Sequence, residues 1–108
     1  MDNVVTPLET RTGCVAAAME IIGSKWTALI LRDLAGDECR FADLERSISG
    51  LNPRTLSKRL EDLETHGIIE HCPGSTSYRL TQKGRDLVPV LEAMAAWGDK
   101  YSSKLSAV

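Results

Sequence analysis

The sequence predicts a mainly α-helical domain that carries one small β-hairpin. Apolar residues recur at helical spacing in successive segments, and Gly or Pro residues separate these segments. One segment near the middle begins with Asn52-Pro53, and two short strand-like runs follow it directly. Because 108 residues have room for one hydrophobic core, we expect residues 1–108 to form a single domain.

Two helices are predicted in the first third of the chain, and a shorter third helix follows them. The first covers about residues 13–22, with Thr12 as its N-cap and Gly23 at its end. The second ends at Ala35-Gly36, where Gly can adopt the left-handed capping conformation, and the third precedes Gly50. The apolar faces of the three helices are Val15, Ala18, Met19 and Ile22, then Trp26, Leu29, Ile30 and Leu34, then Phe41, Leu44 and Ile48.

The fourth helix has the clearest start signal in the sequence. Asn52 is its predicted N-cap, and Pro53 occupies the first helical position, where its missing N–H costs nothing. His66-Gly67 ends the helix. Its buried stripe consists of Leu56, Leu60 and Leu63.

A β-hairpin and a last helix complete the predicted domain. Strands at residues 68–71 and 78–80 enclose a turn at residues 72–77. After Thr81, the apolar spacing predicts one helix over about residues 82–104, in which Pro89 produces a kink or an irregular turn. The apolar stripe of this helix comprises Leu87, Val90, Leu91, Met94, Trp97 and Tyr101.

Basic and hydroxyl side chains occupy the first two turns of the fourth helix, and no acidic residue interrupts them before Glu61. Two short helices followed by a hairpin form the order of a winged helix-turn-helix, whose second helix enters the DNA major groove. The N–H groups at the start of that helix also attract phosphate. The predicted DNA-binding residues are therefore Asn52, Pro53, Arg54, Thr55, Ser57, Lys58 and Arg59, with Arg79 added as a cation on the hairpin.

Two other interpretations of the basic helix remain open. In the first, the basic helix is a solvated face of an unrelated helical domain. In the second, it is the contact surface of a protein-interaction module. A DNA-binding protein differs from both in losing affinity steeply with salt while keeping a sequence preference. Whether Arg54 and Arg59 read guanine edges or grip phosphates is also open at this point.

Several protein classes do not fit the composition. The net charge of −2 argues against a protein that coats nucleic acid without specificity. The sequence has no Gly-rich phosphate loop and no nucleophile with an evident base, so we predict neither an enzyme nor a cofactor.

The sequence shows no signal peptide and no membrane-spanning run, which favours the cytoplasm. Three cysteines suggest reduced thiols, and Cys14, Cys39, His71 and Cys72 lack the paired spacing of a metal site.

The sequence resembles the HxlR family of winged helix-turn-helix transcriptional regulators, which are related in architecture to the MarR group. The matching stretches extend from Cys14 to Gly98 and include NPRTLSKRLEDL at 52–63 and YRLTQKG at 78–84. The resemblance implies a homodimer built from the first and last helices, with the helix from Pro53 to His66 in the major groove. It also implies repression, or sometimes activation, of nearby genes. The hairpin between Ile69 and Tyr78 is shorter than the family's, which weakens the prediction of wing contacts to DNA.

The last helix supports a dimer independently, because its apolar stripe is longer than so small a chain can easily cover. The alternative is that this stripe closes the core of the monomer. A twofold dimer predicts a pseudo-palindromic double-stranded operator with half-sites about 10 base pairs apart, or a multiple of that distance. The predicted interface residues are Leu87, Leu91, Met94, Trp97 and Tyr101.

Cys14 is the candidate sensor residue, since the resemblance places it where several members carry a cysteine that reacts with oxidants or electrophiles such as quinones. The partial positive charge at a helix N-terminus favours a thiolate there. The alternative is a small, inert packing residue. Cys72, beside His71 in the turn of the hairpin, is predicted to be exposed and is the candidate disulfide partner of Cys14 from the other subunit.

Overall fold

The computed structural model describes residues 11–101, which form six helices and one hairpin and confirm the predicted fold class. The helices are α1 (Thr12–Ile22), α2 (Lys25–Gly36), α3 (Phe41–Ser47), α4 (Pro53–Thr65), α5 (Gln82–Arg85) and α6 (Val88–Tyr101). The strands are β1 (Ile69–His71) and β2 (Tyr78–Leu80), which lie between α4 and α5.

The hydrophobic core forms around α2, which contacts α1, α3, α6 and β2. The inner faces of α2, α3 and α4 supply most of the buried side chains. In α2 the prediction was wrong in part, because Leu31 is fully buried and the predicted Trp26 and Leu29 are half-buried. The two outer helices contribute little, because α1 buries only Ile22 and no residue of α6 is fully buried. The core cluster consists of Ile22, Ile30, Leu31, Leu34, Leu44, Ile48, Leu56, Leu60, Leu63, Ile68, Ile69 and Leu80.

The start of α4 is built as predicted. The side chain of Asn52 accepts a hydrogen bond from the N–H of Thr55 at 2.8 Å, and Pro53 begins the helix. Gly50, in the turn between α3 and α4, has a φ of +89°, a conformation that side chains with a Cβ rarely adopt. The turn therefore fixes where α4 begins relative to α3.

The hairpin pairs Ile69 with Leu80 and His71 with Tyr78 in antiparallel register. A third chain segment joins it, because Cys39 and Tyr78 exchange two backbone hydrogen bonds of 3.0 and 2.7 Å. The segment between α2 and α3 thus lies against the outer edge of β2. This contact anchors the wing to the helix-turn-helix.

The helices α1 and α2 meet at a sharp bend. Ser24 caps α2 by accepting a hydrogen bond from the N–H of Trp26 at 3.2 Å. Among residues 11–101, no single helix is long and apolar enough to cross a membrane. Only α1 and α2 taken together meet the length and composition criteria, and they are bent by 79°.

Two predicted helix boundaries are wrong. The helix predicted over residues 82–104 is two helices, because the chain leaves helical geometry between Arg85 and Val88. Pro89 is the second residue of α6 and has no N–H to continue the preceding helix, so the irregular turn comes before it. At the other end, Thr12 is the first residue of α1 and Arg11 is its N-cap. Residues 102–104 lie outside the described residues.

Candidate nucleic-acid interface

The predicted DNA-binding residues of α4 differ in exposure. Arg54, Ser57 and Lys58 are exposed, as are Asn52 and Pro53 before them. Thr55 and Arg59 are half-buried, because they lie nearer the face that packs on the core. The exposed members follow the helical repeat, so they form one strip along the first two turns of α4.

Of the two exposed cations of α4, Arg54 is the one whose charge is less compensated. Among residues 11–101, its side chain has no ion pair and no hydrogen bond. It lies in the first turn of α4, a turn that has no acidic residue. The partial positive charge of the helix N-terminus therefore adds to that of the guanidinium, and the two together favour an anion at this end of α4.

Of the other two cations of α4, Lys58 is paired with carboxylates and Arg59 is half-buried. The ammonium of Lys58 lies 3.0 Å from Asp62 and 3.8 Å from Glu61, and the bond to Asp62 raises the pKa of Lys58. This pair is exposed and weak, so a phosphate can replace the carboxylate. Arg59 lines a small cavity of about 100 Å³ together with Glu20, on α1, so it faces α1 rather than outward.

Arg79 is exposed on the wing, but its charge is shared with carboxylates. Its Nε donates to Glu70 at 2.8 Å. This hydrogen bond, helped by the negative charges of Glu70 and Glu38, holds the pKa of Arg79 above its usual range. A phosphate on this side of the wing would have to displace Glu70, so Arg79 is a poorer anion site than Arg54.

A contact between the wing and α4 was not predicted from the sequence. Nδ1 of His71 on β1 lies 2.9 Å from the carboxylate of Glu64 on α4, and the ring of His71 packs on Tyr78 with 4.3 Å between centroids. These contacts fix the C-terminal half of α4 against the hairpin. The apolar spacing carried no signal for them, because Glu64 and His71 are both polar side chains outside the buried stripe.

The three cysteines lie in different environments. Cys14 is exposed in the first turn of α1. The prediction that Cys72 is exposed is wrong, since only 8% of its surface is exposed. Its N–H donates to the carbonyl oxygen of Ser77, which is also buried. Burial, helped by the nearby Glu38, raises the pKa of the Cys72 thiol. Burial and the carboxylate of Asp33 likewise raise the pKa of Cys39.

The structure does not bring the candidate metal ligands together. Within residues 11–101, no group of three or more His, Cys, Asp or Glu side chains is arranged to hold a metal ion. The described part of the chain thus gives no support to a metal sensor built from Cys14, Cys39, His71 and Cys72.

The apolar stripe predicted for the last helix divides into two parts. Leu87 and Leu91 pack against the core, as the monomer-core alternative required. Met94, Trp97 and Tyr101 are 48%, 63% and 62% exposed, so nothing in the described chain covers them. On α1, Val15 and Met19 are similarly exposed. Exposed apolar surface is therefore concentrated on the two outer helices.

Comparison with known protein sequences identifies the family. The model of the HxlR-like helix-turn-helix family matches residues 21–106. An HTH-type transcriptional regulator of Methanothermobacter thermautotrophicus is 35% identical over 94 residues, which cover 82% of this chain and 72% of that protein. A regulator of Mycobacterium tuberculosis is 39% identical over 92 residues, but the chain spans only 58% of its length.

Solved structures show the same fold. Quinone-bound YodB from B. subtilis has a TM-score of 0.75 at 30% identity, covering 82% of this chain and 99% of that one. The redox regulator HypR in its reduced form has a TM-score of 0.76 at 27% identity, covering 87% and 98%. A MarR-family regulator from Enterococcus faecalis V583 shares the fold alone, with a TM-score of 0.78 at 24% identity over 99% and 100% of the two chains. The chain therefore belongs to the HxlR-like helix-turn-helix family of transcriptional regulators.

Proposed function

We propose that the protein is a homodimeric repressor that binds a pseudo-palindromic operator through α4, with Arg54 as its principal contact. The observation that carries this proposal is the position of Arg54, an exposed guanidinium without a carboxylate partner in the described chain, at the N-terminus of the second helix of a helix-turn-helix. Asn52, Ser57 and Lys58 extend the same strip and supply further donors to phosphate and base edges. Such a protein acts on the chromosome, which in a bacterial-type cell is in the cytoplasm.

The exposed apolar side chains of α1 and α6 support the homodimer. Trp97 and Tyr101 pack on each other with ring centroids 5.2 Å apart, and Met94 on the same helix is exposed as well. Aromatic and Met side chains are enriched at the centres of interfaces between proteins. A second copy of the chain would bury this surface. It would also double the area of contact with DNA, and the contact area of a single helix-turn-helix is too small for tight, specific binding.

The DNA test compares Arg54→Ala with Arg32→Ala. Arg32 is an exposed cation on α2 that pairs with Asp33, so its replacement removes the same charge away from the α4 strip. The probe is DNA selected by the wild type from a random pool, and binding is followed by fluorescence anisotropy. We expect Arg54→Ala to weaken binding about 5- to 150-fold, the equivalent of ~1–3 kcal/mol, because its contact has no replacement. Arg32→Ala should stay within about twofold.

The pattern of losses distinguishes the candidate roles of Arg54. If Arg54→Ala loses its base preference at one operator position only, Arg54 reads a base edge there. If the variant loses affinity equally for all sequences, Arg54 contacts a phosphate. An Arg54→Ala variant that binds DNA as tightly as the wild type would refute the proposal that Arg54 is the principal contact. Failure of the wild type to select any sequence would favour the protein-interaction module.

We also propose that alkylation or oxidation of Cys14 controls DNA binding. Cys14 is exposed and lies next to Val15 on a helix assigned to the dimer, so an adduct there would disturb the interface. The related YodB has been solved with a quinone bound, and HypR is a redox regulator, which supports this kind of effector. We assign sensing to Cys14 alone, because a disulfide to Cys72 would require the buried Cys72 side chain to become exposed.

Treatment with 1,4-benzoquinone tests this assignment. Cys14 is exposed, whereas Cys39 is half-buried and Cys72 is buried, so a quinone reaches Cys14 most easily. Burial also raises the pKa of the Cys39 and Cys72 thiols, which disfavours the thiolates to which a quinone adds. We therefore expect mass spectrometry to find the first adduct on Cys14, together with at least about a tenfold loss of operator affinity. Cys14→Ser should bind DNA normally and resist the quinone. Release of DNA by quinone in Cys14→Ser would assign the effect to another residue.

A further inference from the structure

We propose that Thr81 is a positioning residue whose hydroxyl, together with Lys83, sets the angle between α4 and α6 and thereby the half-site spacing that the dimer accepts. The inference rests on the proposed function, because it requires α4 to bind DNA and α6 to join the subunits. It gives a role to residues Thr81 to Gly84, which are not among the proposed DNA contacts.

The hydroxyl of Thr81 joins the end of α4 to the beginning of α5. Its Oγ1 lies 2.5 Å from the carbonyl oxygen of Gly67 and 3.1 Å from that of Ile68. The same oxygen accepts a hydrogen bond from the N–H of Gly84 at 3.1 Å and so caps α5. One side chain therefore contacts the chain just after α4 and also begins the next helix. The N–H of Thr81 adds a further hydrogen bond to Ile68 at 3.0 Å.

Lys83 makes a second link between the same two segments. Its ammonium donates to the carbonyl oxygen of His66, the C-cap of α4, at 2.8 Å. A lysine is favourable there, because the carbonyl groups at the end of a helix carry partial negative charge. The backbones also approach closely, since a Cβ on Gly84 would lie 2.1 Å from the oxygen of Ile68.

The junction continues into α6. The N–H of Leu87 bonds to the oxygen of Gly84 at 3.0 Å, and the N–H of Leu91 bonds to the oxygen of Leu87 at 3.0 Å. Gln82 also donates to the side chain of Asp86, the C-cap of α5, at 2.8 Å, which holds the end of α5. A rotation of α5, and of the start of α6 that is bonded to it, away from the end of α4 must therefore break the hydrogen bonds of Thr81 and Lys83.

This link matters for DNA because the two recognition helices of a dimer must meet half-sites at a fixed separation. One turn of DNA rises about 34–36 Å in about 10–10.5 base pairs, so one extra base pair moves a half-site by about 3.4 Å and turns it by about 35°. A rigid junction rejects such an operator, whereas a loosened junction accepts it.

The experiment measures spacing selectivity. Operators selected by the wild type are remade with one base pair added or removed between the half-sites, and their dissociation constants are compared with that of the original. The junction variants are Thr81→Val, which removes the hydroxyl at similar volume, and Lys83→Met. Thr81→Ser restores the hydroxyl, and Lys25→Met is the matched control for charge, since Lys25 stacks on Trp26 away from the junction.

We expect the wild type, Thr81→Ser and Lys25→Met to prefer the original spacing by at least about tenfold. Thr81→Val should reduce the preference to about threefold or less, and Lys83→Met should at least halve it. A general loss of stability would lower affinity for all spacings equally, so an unchanged preference in the two junction variants would overturn the inference. If Thr81→Val does not fold, Lys83→Met decides alone. A wild type that ignores spacing would instead refute the twofold docking on which the inference rests.

Discussion

Trp97→Glu should be a folded monomer that has lost most of its affinity for the operator. Trp97 is 63% exposed at the middle of the apolar surface of α6, and the proposed interface would bury it next to Met94 and Tyr101. Truncating a central aromatic residue of an interface commonly costs at least about 2 kcal/mol, which is roughly 30-fold in dissociation constant, and a buried carboxylate adds to that cost. Light scattering after size-exclusion chromatography would give the mass, and fluorescence anisotropy would give the DNA affinity.

Ala96→Glu is the matched control for Trp97→Glu. Ala96 is exposed on the same helix and lies about 100° away from Trp97 around the axis, outside the apolar stripe. It receives the same charge and should remain a dimer with normal DNA binding. Circular dichroism would show that both variants are folded. A dimeric Trp97→Glu with intact affinity would refute the assignment of this surface to the interface.

Gly84→Ala should lower the free energy of unfolding by about 1–3 kcal/mol, because the added methyl group meets the backbone of a neighbouring segment. The added Cβ would lie 2.1 Å from the carbonyl oxygen of Ile68. That oxygen cannot move aside easily, because it accepts the hydrogen bond from the N–H of Thr81. The backbone of α5 must therefore shift away from β1, which also separates Thr81 from Gly67. Urea denaturation followed by circular dichroism measures the change.

Gly36→Ala serves as the control for Gly84→Ala. Gly36 ends α2, its φ is not positive, and a Cβ there has no neighbour within 4 Å among the described residues. Its replacement should change stability by no more than about 0.5 kcal/mol. Equal stability of the two variants would show that the close approach of α5 to β1 is relieved without cost.

Local sequence signals predicted much of the fold and of the α4 strip. The Asn52-Pro53 start is confirmed, since it depends on hydrogen bonds within four residues of the helix end. The hairpin and the family resemblance are confirmed as well. The exposure of Arg54 and Lys58 also follows from the helical repeat around Leu56 and Leu60.

Contacts between distant segments could not be predicted in this way. The burial of Cys72 arises because the chain around Cys39 joins the hairpin, which no pattern near residue 72 reveals. The links from Thr81 and Lys83 to the end of α4 cross 14 and 17 residues. The irregular turn near Pro89 was predicted from the proline, but the continuous apolar spacing gave no sign that the segment would divide into two helices.

The short hairpin affects how readily the protein aggregates at high concentration. Each strand has three residues, and the segment at Cys39 already pairs with the outer edge of β2. So short a strand offers too few backbone groups to recruit a strand from another molecule, the route by which exposed sheet edges cause aggregation. The dimer that we propose would therefore form through the helices, where side-chain shape can restrict association to a closed pair.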